Sequence, residues 1–293
     1  MIGAKKILIT GKGSYIGMAV KAWLMKSRQQ MLVDEVCVKD KAWHTVNFSS
    51  YDVVFHVAGL AHSDTRKSNE ERSALYYKIN TDLTIEVAQK AKLEGVRQFI
   101  FMSSMIVYGD SASFGTPKRI TKDTTPNPTN CYGDSKWQAE LGLTALATDD
   151  FQVALIRPPM VYGKGSKGNY PRLAKLAKQL PLFPDVDNER SMIYIDNLCE
   201  FVRFVMEKGE GGIFHPQNMQ YVKTSDLVME IAAVHGKKVR LTKLFNPFLK
   251  IFAKRRGLVN KVFGNLSYDQ MISEYEFDYQ VRGFEESIEL TEK

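Results

Sequence analysis

The segment that most restricts this chain is its start. An apolar run over residues 6–10 leads directly into Thr10-Gly11-Lys12-Gly13-Ser14-Tyr15-Ile16-Gly17 and on into a helical pattern over 16–27. Strand, glycine turn and helix in that order form the opening of a βαβ unit. In such a turn Gly11 permits the tight bend, Gly13 lets backbone approach a pyrophosphate, and Gly17 allows helix to pack closely on strand. The helix N-terminus offers N–H groups to an anion. A dinucleotide is the ligand that this arrangement implies.

The same rhythm continues. Apolar runs at 52–57 and 98–102 alternate with an amphipathic stretch at 81–94, and a helix at 132–147 precedes another buried strand at 151–157. The fold class expected is α/β, a Rossmann-type doubly wound parallel sheet with a small C-terminal substrate-binding lobe. Between the strand at Cys37 and the strand at Val53 there is no room for a further strand plus a crossover helix, so one βα unit should be trimmed. Glycine and proline punctuate the chain from Pro158 to Pro184. Residues 1–164, with 190–216 returning to them, are expected as the dinucleotide-binding domain, and 165–189 with 217–293 as the lobe.

A chain of 293 residues that is 44% hydrophobic and 25% charged is globular material. Cys37, Cys131 and Cys199 are an odd number, far apart, which fits a reducing cytoplasmic setting better than a disulfide framework. His44, His56, His62, His215 and His235 show no metal-ligand spacing, so no metal is expected. No apolar run reaches the roughly 20 residues needed to span a bilayer, and no leader pattern opens the chain. The net charge of +7 suits a nucleotide diphosphate, nucleic acid or an acidic membrane alike. Nucleic acid calls for a continuous basic stripe with interleaved aromatics, and the sequence has a single basic region mixed with apolar residues, so no nucleic-acid partner is expected. That region, 237–261, sets Leu244, Phe245, Phe248, Leu249, Ile251 and Phe252 among Lys243, Lys250, Lys254, Arg255 and Arg256. It fits a helix lying on an anionic membrane or a lobe helix packing its apolar face inward; the second is the expectation.

Tyr132 and Lys136 are four apart on a helix, so phenol and ammonium share a face. An adjacent ammonium favours the phenolate, making the tyrosine a general acid and base. Ser103-Ser104 end the strand before it, at the edge where open α/β sheets place ligands, and a hydroxyl there can bond a reacting oxygen. An acid that binds the adenosine ribose belongs at the end of the second strand. Cys37 stands near that point, followed by Lys39, which could meet a 2′-phosphate, and Asp40, which could meet a 2′-hydroxyl.

The glycine loop, His56-Val57-Ala58-Gly59, Asn80 opening a helix, Ser103-Ser104 before Val107-Tyr108-Gly109, and Tyr132 with Lys136 occur in that order. So do Arg157-Pro158-Pro159-Met160-Val161-Tyr162-Gly163, Lys167-Gly168-Asn169-Tyr170, and Asn188-Glu189-Arg190-Ser191 with Tyr194-Ile195-Asp196-Asn197-Leu198. Over essentially its whole length the chain resembles the extended short-chain dehydrogenase/reductase family, near the UDP-glucose 4-epimerases. The resemblance implies NAD or NADP as cofactor, with the balance toward NAD. It implies that Gly11, Gly13, Tyr15, Ile16 and Gly17 hold the dinucleotide, that Lys136 also grips the nicotinamide ribose, and that Tyr132, Lys136 and Ser104 are catalytic. Ser14, Lys39, Asp40, Ala58, Asn80, Ser103 and Tyr132 complete the candidate cofactor set, with Lys39 and Asp40 still alternatives. Ser104, Asn169 and Arg190 are then substrate-binding, the last two on the diphosphate of a UDP-sugar. A homodimer is expected on the same basis.

Three departures from the family pattern bear on the reaction. Ser14 stands where the loop usually has glycine. Met105 follows Ser104 where sugar 4,6-dehydratases carry an acid pair, which argues against dehydration. Met160 replaces an asparagine beside the sugar pocket. The resulting reading is a UDP-sugar 4-epimerase. A reductase of UDP-4-keto-6-deoxy-N-acetylhexosamines uses the same residues and is the alternative. A dinucleotide sensor without chemistry is the third reading.

Overall fold

A computed structural model describes residues 4–27, 31–61, 68–253 and 257–293. His62, Lys254, Arg255 and Arg256, on which parts of the sequence reading fall, lie outside the described residues. Spatial contacts divide the chain into two compact units. The first comprises Met1–Gly109, Thr125–Pro158 and Cys199–His215; the second comprises Asp110–Thr124, Pro159–Leu198 and Pro216–Lys293.

The first unit is built on six strands: β1 Lys5–Thr10, β2 Met31–Val36, β3 Val53–His56, β4 Gln98–Met102, β5 Gln152–Ile156 and β6 Gly212–Phe214. All pair in parallel, in the order β6-β5-β4-β3-β1-β2. The central strands β3, β4 and β5 are covered on both faces, which is why they read as nearly unbroken apolar runs, whereas the edge strands β2 and β6 are partly exposed. Ile7, Ile9, Val54, Phe55, Phe99, Ile100, Phe101 and Ile156 are fully buried. Each such side chain contributes about 1.5–3 kcal/mol by leaving water. The order reverses at β1, whose neighbours are β2 and β3, and the C-terminal edge beside such a reversal is where these sheets bind ligands. Between β2 and β3 only a 3₁₀ turn, Lys41–Thr45, replaces a crossover helix. Val38, Trp43 and Phe48 of this connection are buried and cover the sheet in its place. The trimmed βα unit expected from the sequence is therefore present.

Helices α1 Tyr15–Lys26, α2 Asn69–Tyr76, α3 Leu83–Leu93 and α4 Cys131–Leu146 belong to this unit. Asn80 does not open a helix. Helix α2 starts eleven residues earlier under a capping box, in which Ser68 Oγ accepts from Glu71 N–H and Glu71 accepts from Ser68 N–H. A π-helical turn, Tyr77–Asp82, then joins it to α3 and carries Asn80.

Among the described residues, the second unit has three short parallel strand pairs: Arg119–Ile120 with Ser267–Tyr268, Met160–Tyr162 with Met192–Tyr194, and Leu182–Pro184 with Arg240–Thr242. Helices Asn169–Gln179 and Phe284–Glu292 both pack on Thr224–Val234. Residues 110–124, expected in the dinucleotide-binding domain, group here instead, because Ala112 N–H bonds the Asn265 carbonyl and Arg119–Ile120 is a strand of this unit.

Candidate active site

The turn after β1 has the strained backbone that its glycines were read to serve. Gly11 and Gly13 lie at φ +108° and +76°. A Cβ on Gly11 would stand 2.7 Å from the Ala58 backbone nitrogen, so β1 and β3 approach here closer than any side chain allows. At Gly13 a Cβ would meet nothing within 4 Å, leaving bare backbone facing open space. Ser14, the unusual residue of the loop, is the N-cap of α1: its Oγ accepts the Gly17 N–H at 3.2 Å. This loop fits a dinucleotide diphosphate, which needs open backbone at a helix N-terminus. Tyr15 and Ile16 begin α1, and Ala58 N–H bonds the Thr10 carbonyl at 3.0 Å.

At the β2 end the structure adds a residue that sequence reasoning passed over. Glu35 accepts the Lys21 ammonium at 2.6 Å and the Gly13 N–H, and Lys21 together with that N–H holds its carboxyl below the usual range against the opposing effect of burial. A carboxylate inside an apolar strand was the available signal. Cys37 is half-buried and Lys39 exposed. Asp40 caps the 3₁₀ turn, its carboxylate accepting the Ala42 N–H at 3.0 Å.

The catalytic candidates converge on the start of α4. Asn130 caps this helix by accepting Gly133 N–H at 2.9 Å. Tyr132 is half-buried, hydrogen-bonded to Ser104, with the Tyr76 ring 5.8 Å from its own. Burial pushes the phenol up to about 12, against the Ser104 hydrogen bond. One turn on, Lys136 is 5% exposed; its Nζ donates to the Met102 carbonyl at 2.9 Å and lies 4.4 Å from the centre of the Phe101 ring. Burial brings the ammonium down to about 8, with Glu140 opposing. Burial thus lowers the lysine, and the protein alone raises rather than lowers the tyrosine. A cationic nicotinamide would supply the remaining field.

Asn80 is fully buried and its amide is engaged: Oδ1 accepts Leu60 N–H at 2.7 Å, and Nδ2 donates to Leu60 O and Ser135 Oγ. It ties the loop after β3 to α4, so its place beside the cofactor loop is structural in the protein alone. A Cβ on Gly59 would come within 3.1 Å of Lys136 Nζ and 3.3 Å of Asn80 Oδ1, which keeps this position small. Ser103 is likewise engaged: its hydroxyl donates to Glu140.

Glu140 leads to a buried network that the sequence did not disclose. It accepts Arg157 Nε through both oxygens at 3.1 Å, and both partners are almost wholly buried. Arg157 also donates to Tyr108 Oη, which lies 2.8 Å from His215 Nε2. An arginine can only donate, so the phenol proton goes to His215, whose imidazole burial and Arg157 hold down at about 4. His56 is bracketed by Thr10 Oγ1 at 2.7 Å and Thr84 Oγ1 at 3.1 Å and brought down to about 3 by burial and by Lys136. Both histidines are neutral structural groups.

In the second unit, Asn169 and Arg190 meet. Both line a cleft with Met160, Arg172, Thr224 and Lys261. Asn169 is the first residue of helix Asn169–Gln179, after Gly168 at φ +99°. Arg190 donates to the Gly264 carbonyl at 2.9 Å, and burial brings its guanidinium down to about 10. No carboxylate among the described residues pairs with it, and Arg172 and Lys261 line the same cleft, whose remaining walls are mainly apolar, among them Leu173, Leu176, Val222 and Leu227.

Among the described residues of the 237–261 segment, the expected inward packing of the apolar face is met only in part, by buried Ala253 and half-buried Leu249. Helix Asn246–Ala253 turns Ala253 inward and leaves Phe248, Ile251 and Phe252 exposed, as are Leu244 and Phe245 before it. The inner stripe is narrow because Leu249 and Ala253, one turn apart, suffice to seat so short a helix.

Comparison with known proteins places this arrangement. Residues 7–215 match the NAD dependent epimerase/dehydratase family. A UDP-glucose 4-epimerase from Vibrio cholerae is 31% identical over 90% of this chain and 87% of its own length. An N-acetyl-alpha-D-glucosaminyl-diphospho-ditrans,octacis-undecaprenol 4-epimerase from Escherichia coli O157:H7 is 29% identical over 66% of this chain and 59% of its own. Among solved structures, a UDP-glucose 4-epimerase from Thermus thermophilus in complex with NAD superposes with a TM-score of 0.71 at 18% identity, covering 98% and 97% of the two chains. The chain thus belongs to the NAD-dependent epimerase/dehydratase family of extended short-chain dehydrogenases/reductases, as an NAD(P)-dependent nucleotide-sugar epimerase or reductase.

Proposed function

We propose that the protein is a 4-epimerase of a UDP-hexose, with NAD as its resident dinucleotide. The observation that carries this is the meeting of Ser104, Tyr132 and Lys136 at the C-terminal edge of the sheet, beside a glycine loop whose backbone is open at Gly13. A nicotinamide dinucleotide held by the glycine loop and Lys136 would supply a reversible hydride acceptor for C4 of the sugar. Tyr132 takes the proton from O4 and later gives it back, and the Ser104 hydroxyl on the phenol steadies that oxygen in both directions. Lys136, oriented by the Met102 carbonyl, has further N–H bonds for a ribose hydroxyl and places positive charge one helical turn from the phenol. In the second unit Arg190 and Asn169 are the residues for the UDP diphosphate. Glu35 at the end of β2, bonded to Gly13, sets negative charge beside the loop and disfavours a 2′-phosphate, which supports NAD over NADP.

The absence of an acid at Cys37 and the exposed Lys39 favour the second reading, a 4-keto-sugar reductase that exchanges NADPH. Denaturing the purified protein and chromatographing the released nucleotide separates the two. Stoichiometric NAD, with interconversion of UDP-glucose and UDP-galactose or their N-acetyl counterparts and no net redox, is the expected result. Consumption of NADPH with a UDP-4-keto sugar, and no interconversion, would establish the reductase.

A further inference from the structure

Helix Asn246–Ala253 presents the wrong face to water. Leu244 is 79% exposed, Phe248 and Ile251 61% each, and Phe252 46%. Phe248, Ile251 and Phe252 stand at i, i+3 and i+4, so they form one continuous outward surface, while Lys243 and Lys250 at its margins are exposed as well. Scattered exposed hydrophobics are ordinary, but a contiguous aromatic and aliphatic surface marks a contact site.

Charge identifies the occupant. From Ile231 to Tyr268 there is no aspartate or glutamate and there are nine lysines and arginines. Without those nine, the chain has thirty-one cations against thirty-three acids, so all of its net positive charge resides in this segment. A second copy of the chain docked through this face would set Lys243 and Lys250 against their own counterparts, which opposes self-association here. A nucleic acid would neutralise the cations but offer little to Leu244 and Ile251. An anionic lipid surface satisfies both properties at once: side chains at the acyl boundary and cations over the phosphates.

We propose that helix Asn246–Ala253, with the preceding turn Lys243–Phe245, docks this protein on a membrane surface rich in anionic lipid. The face is distinct from the residues assigned to catalysis, so the proposal stands whether the reaction is epimerisation or reduction. The test is sedimentation of the full chain with vesicles of phosphatidylcholine containing phosphatidylglycerol, against vesicles of phosphatidylcholine alone. The wild type should pellet with the anionic vesicles and stay in solution with the neutral ones, and added salt should release it. A triple variant, Phe248→Ser, Ile251→Ser and Phe252→Ser, should lose about tenfold or more in partitioning while keeping its thermal transition. Lys243→Glu with Lys250→Glu should weaken binding in the same direction without touching the apolar face. Failure of the wild type to pellet with anionic vesicles overturns the proposal, and so does equal pelleting by the triple variant. A wild-type dimer that the triple variant converts to monomer, or retention on DNA without vesicle binding, also overturns it and assigns the face to that partner.

Discussion

Two helices of this protein break the usual sorting of side chains, in opposite senses. Helix α4 buries Lys136 and Glu140, 5% and 1% exposed, whereas helix Asn246–Ala253 exposes three large apolar residues. In α4 each buried charge has a partner: Lys136 the Met102 carbonyl, Glu140 the Arg157 guanidinium and the Ser103 hydroxyl. The other helix instead leaves Phe248 and Ile251 61% exposed and Phe252 46% exposed. Buried charges that are fully partnered hold a site in one geometry. Exposed apolar surface stabilises nothing in the fold and points outward to something else. The contrast separates residues that build the site from residues that address a neighbour, and it makes measurable predictions about which substitutions act on rate, on stability or on neither.

The largest effect should come from the chemistry on α4. Tyr132→Phe removes the acid–base oxygen while keeping the ring against Tyr76, and turnover should fall by about 10²–10⁴-fold, as for loss of a general acid–base. The thermal transition should hardly move. A variant that retains more than a tenth of wild-type turnover would show that α4 carries its buried charges for some purpose other than proton transfer at Tyr132. Next in size is the pair beneath it. Glu140→Ala strands Arg157 in the core and should cost about 3–5 kcal/mol in urea unfolding, while replacing both by methionine should recover most of that loss. If Glu140→Ala costs under about 1 kcal/mol, the buried pair is not what fixes α4.

The sequence disclosed the first of these effects far better than the second, and the reason is range. The glycine loop and Tyr132 with Lys136 are local patterns whose geometry follows from a turn or a single helix face. The shortened β2 to β3 connection could be read from length alone. By contrast Glu140 and Arg157 are 17 apart, and Tyr108 and His215 are 107 apart, so only the closed sheet brings them together. The helical pattern strengthens at 81, which points to a helix start at Asn80, although Ser68 and Glu71 carry the capping signature upstream. The outward face within the 237–261 segment is illegible in the sequence for another reason. With apolar residues on most sides, its pattern does not say which stripe faces the protein, and the narrow one did.

The neutral histidines sharpen the same contrast through pH. His56 and His215 are brought down to about 3 and about 4 by burial, from 6.5. Between pH 6.5 and those values the unfolded chain binds protons that the folded chain does not, so stability falls as pH falls. From pH 6 to 5, above the carboxylate range, the two together should lower unfolding free energy by roughly 2–3 kcal/mol. His215→Gln should remove about half of that slope. A slope unchanged by the substitution would mean that the imidazole accepting from Tyr108 is not the group being titrated.

The smallest effect belongs to the exposed face and carries the other half of the comparison. Phe248→Ser and Ile251→Ser remove side chains that are 61% exposed, so each should change the urea unfolding free energy by no more than about 0.5 kcal/mol. Buried phenylalanines such as Phe99 or Phe101 should cost about 3–5 kcal/mol on truncation to alanine. The residue types are the same, and the difference lies in what each one touches. Ala253, on the inner stripe, should resist enlargement: Ala253→Phe should destabilise by about 1–3 kcal/mol through overpacking. If instead the outer substitutions cost more than about 1.5 kcal/mol each and the inner one nothing, the helix is seated the other way round. Its apolar face would then belong to the core, and the membrane-docking surface would not exist.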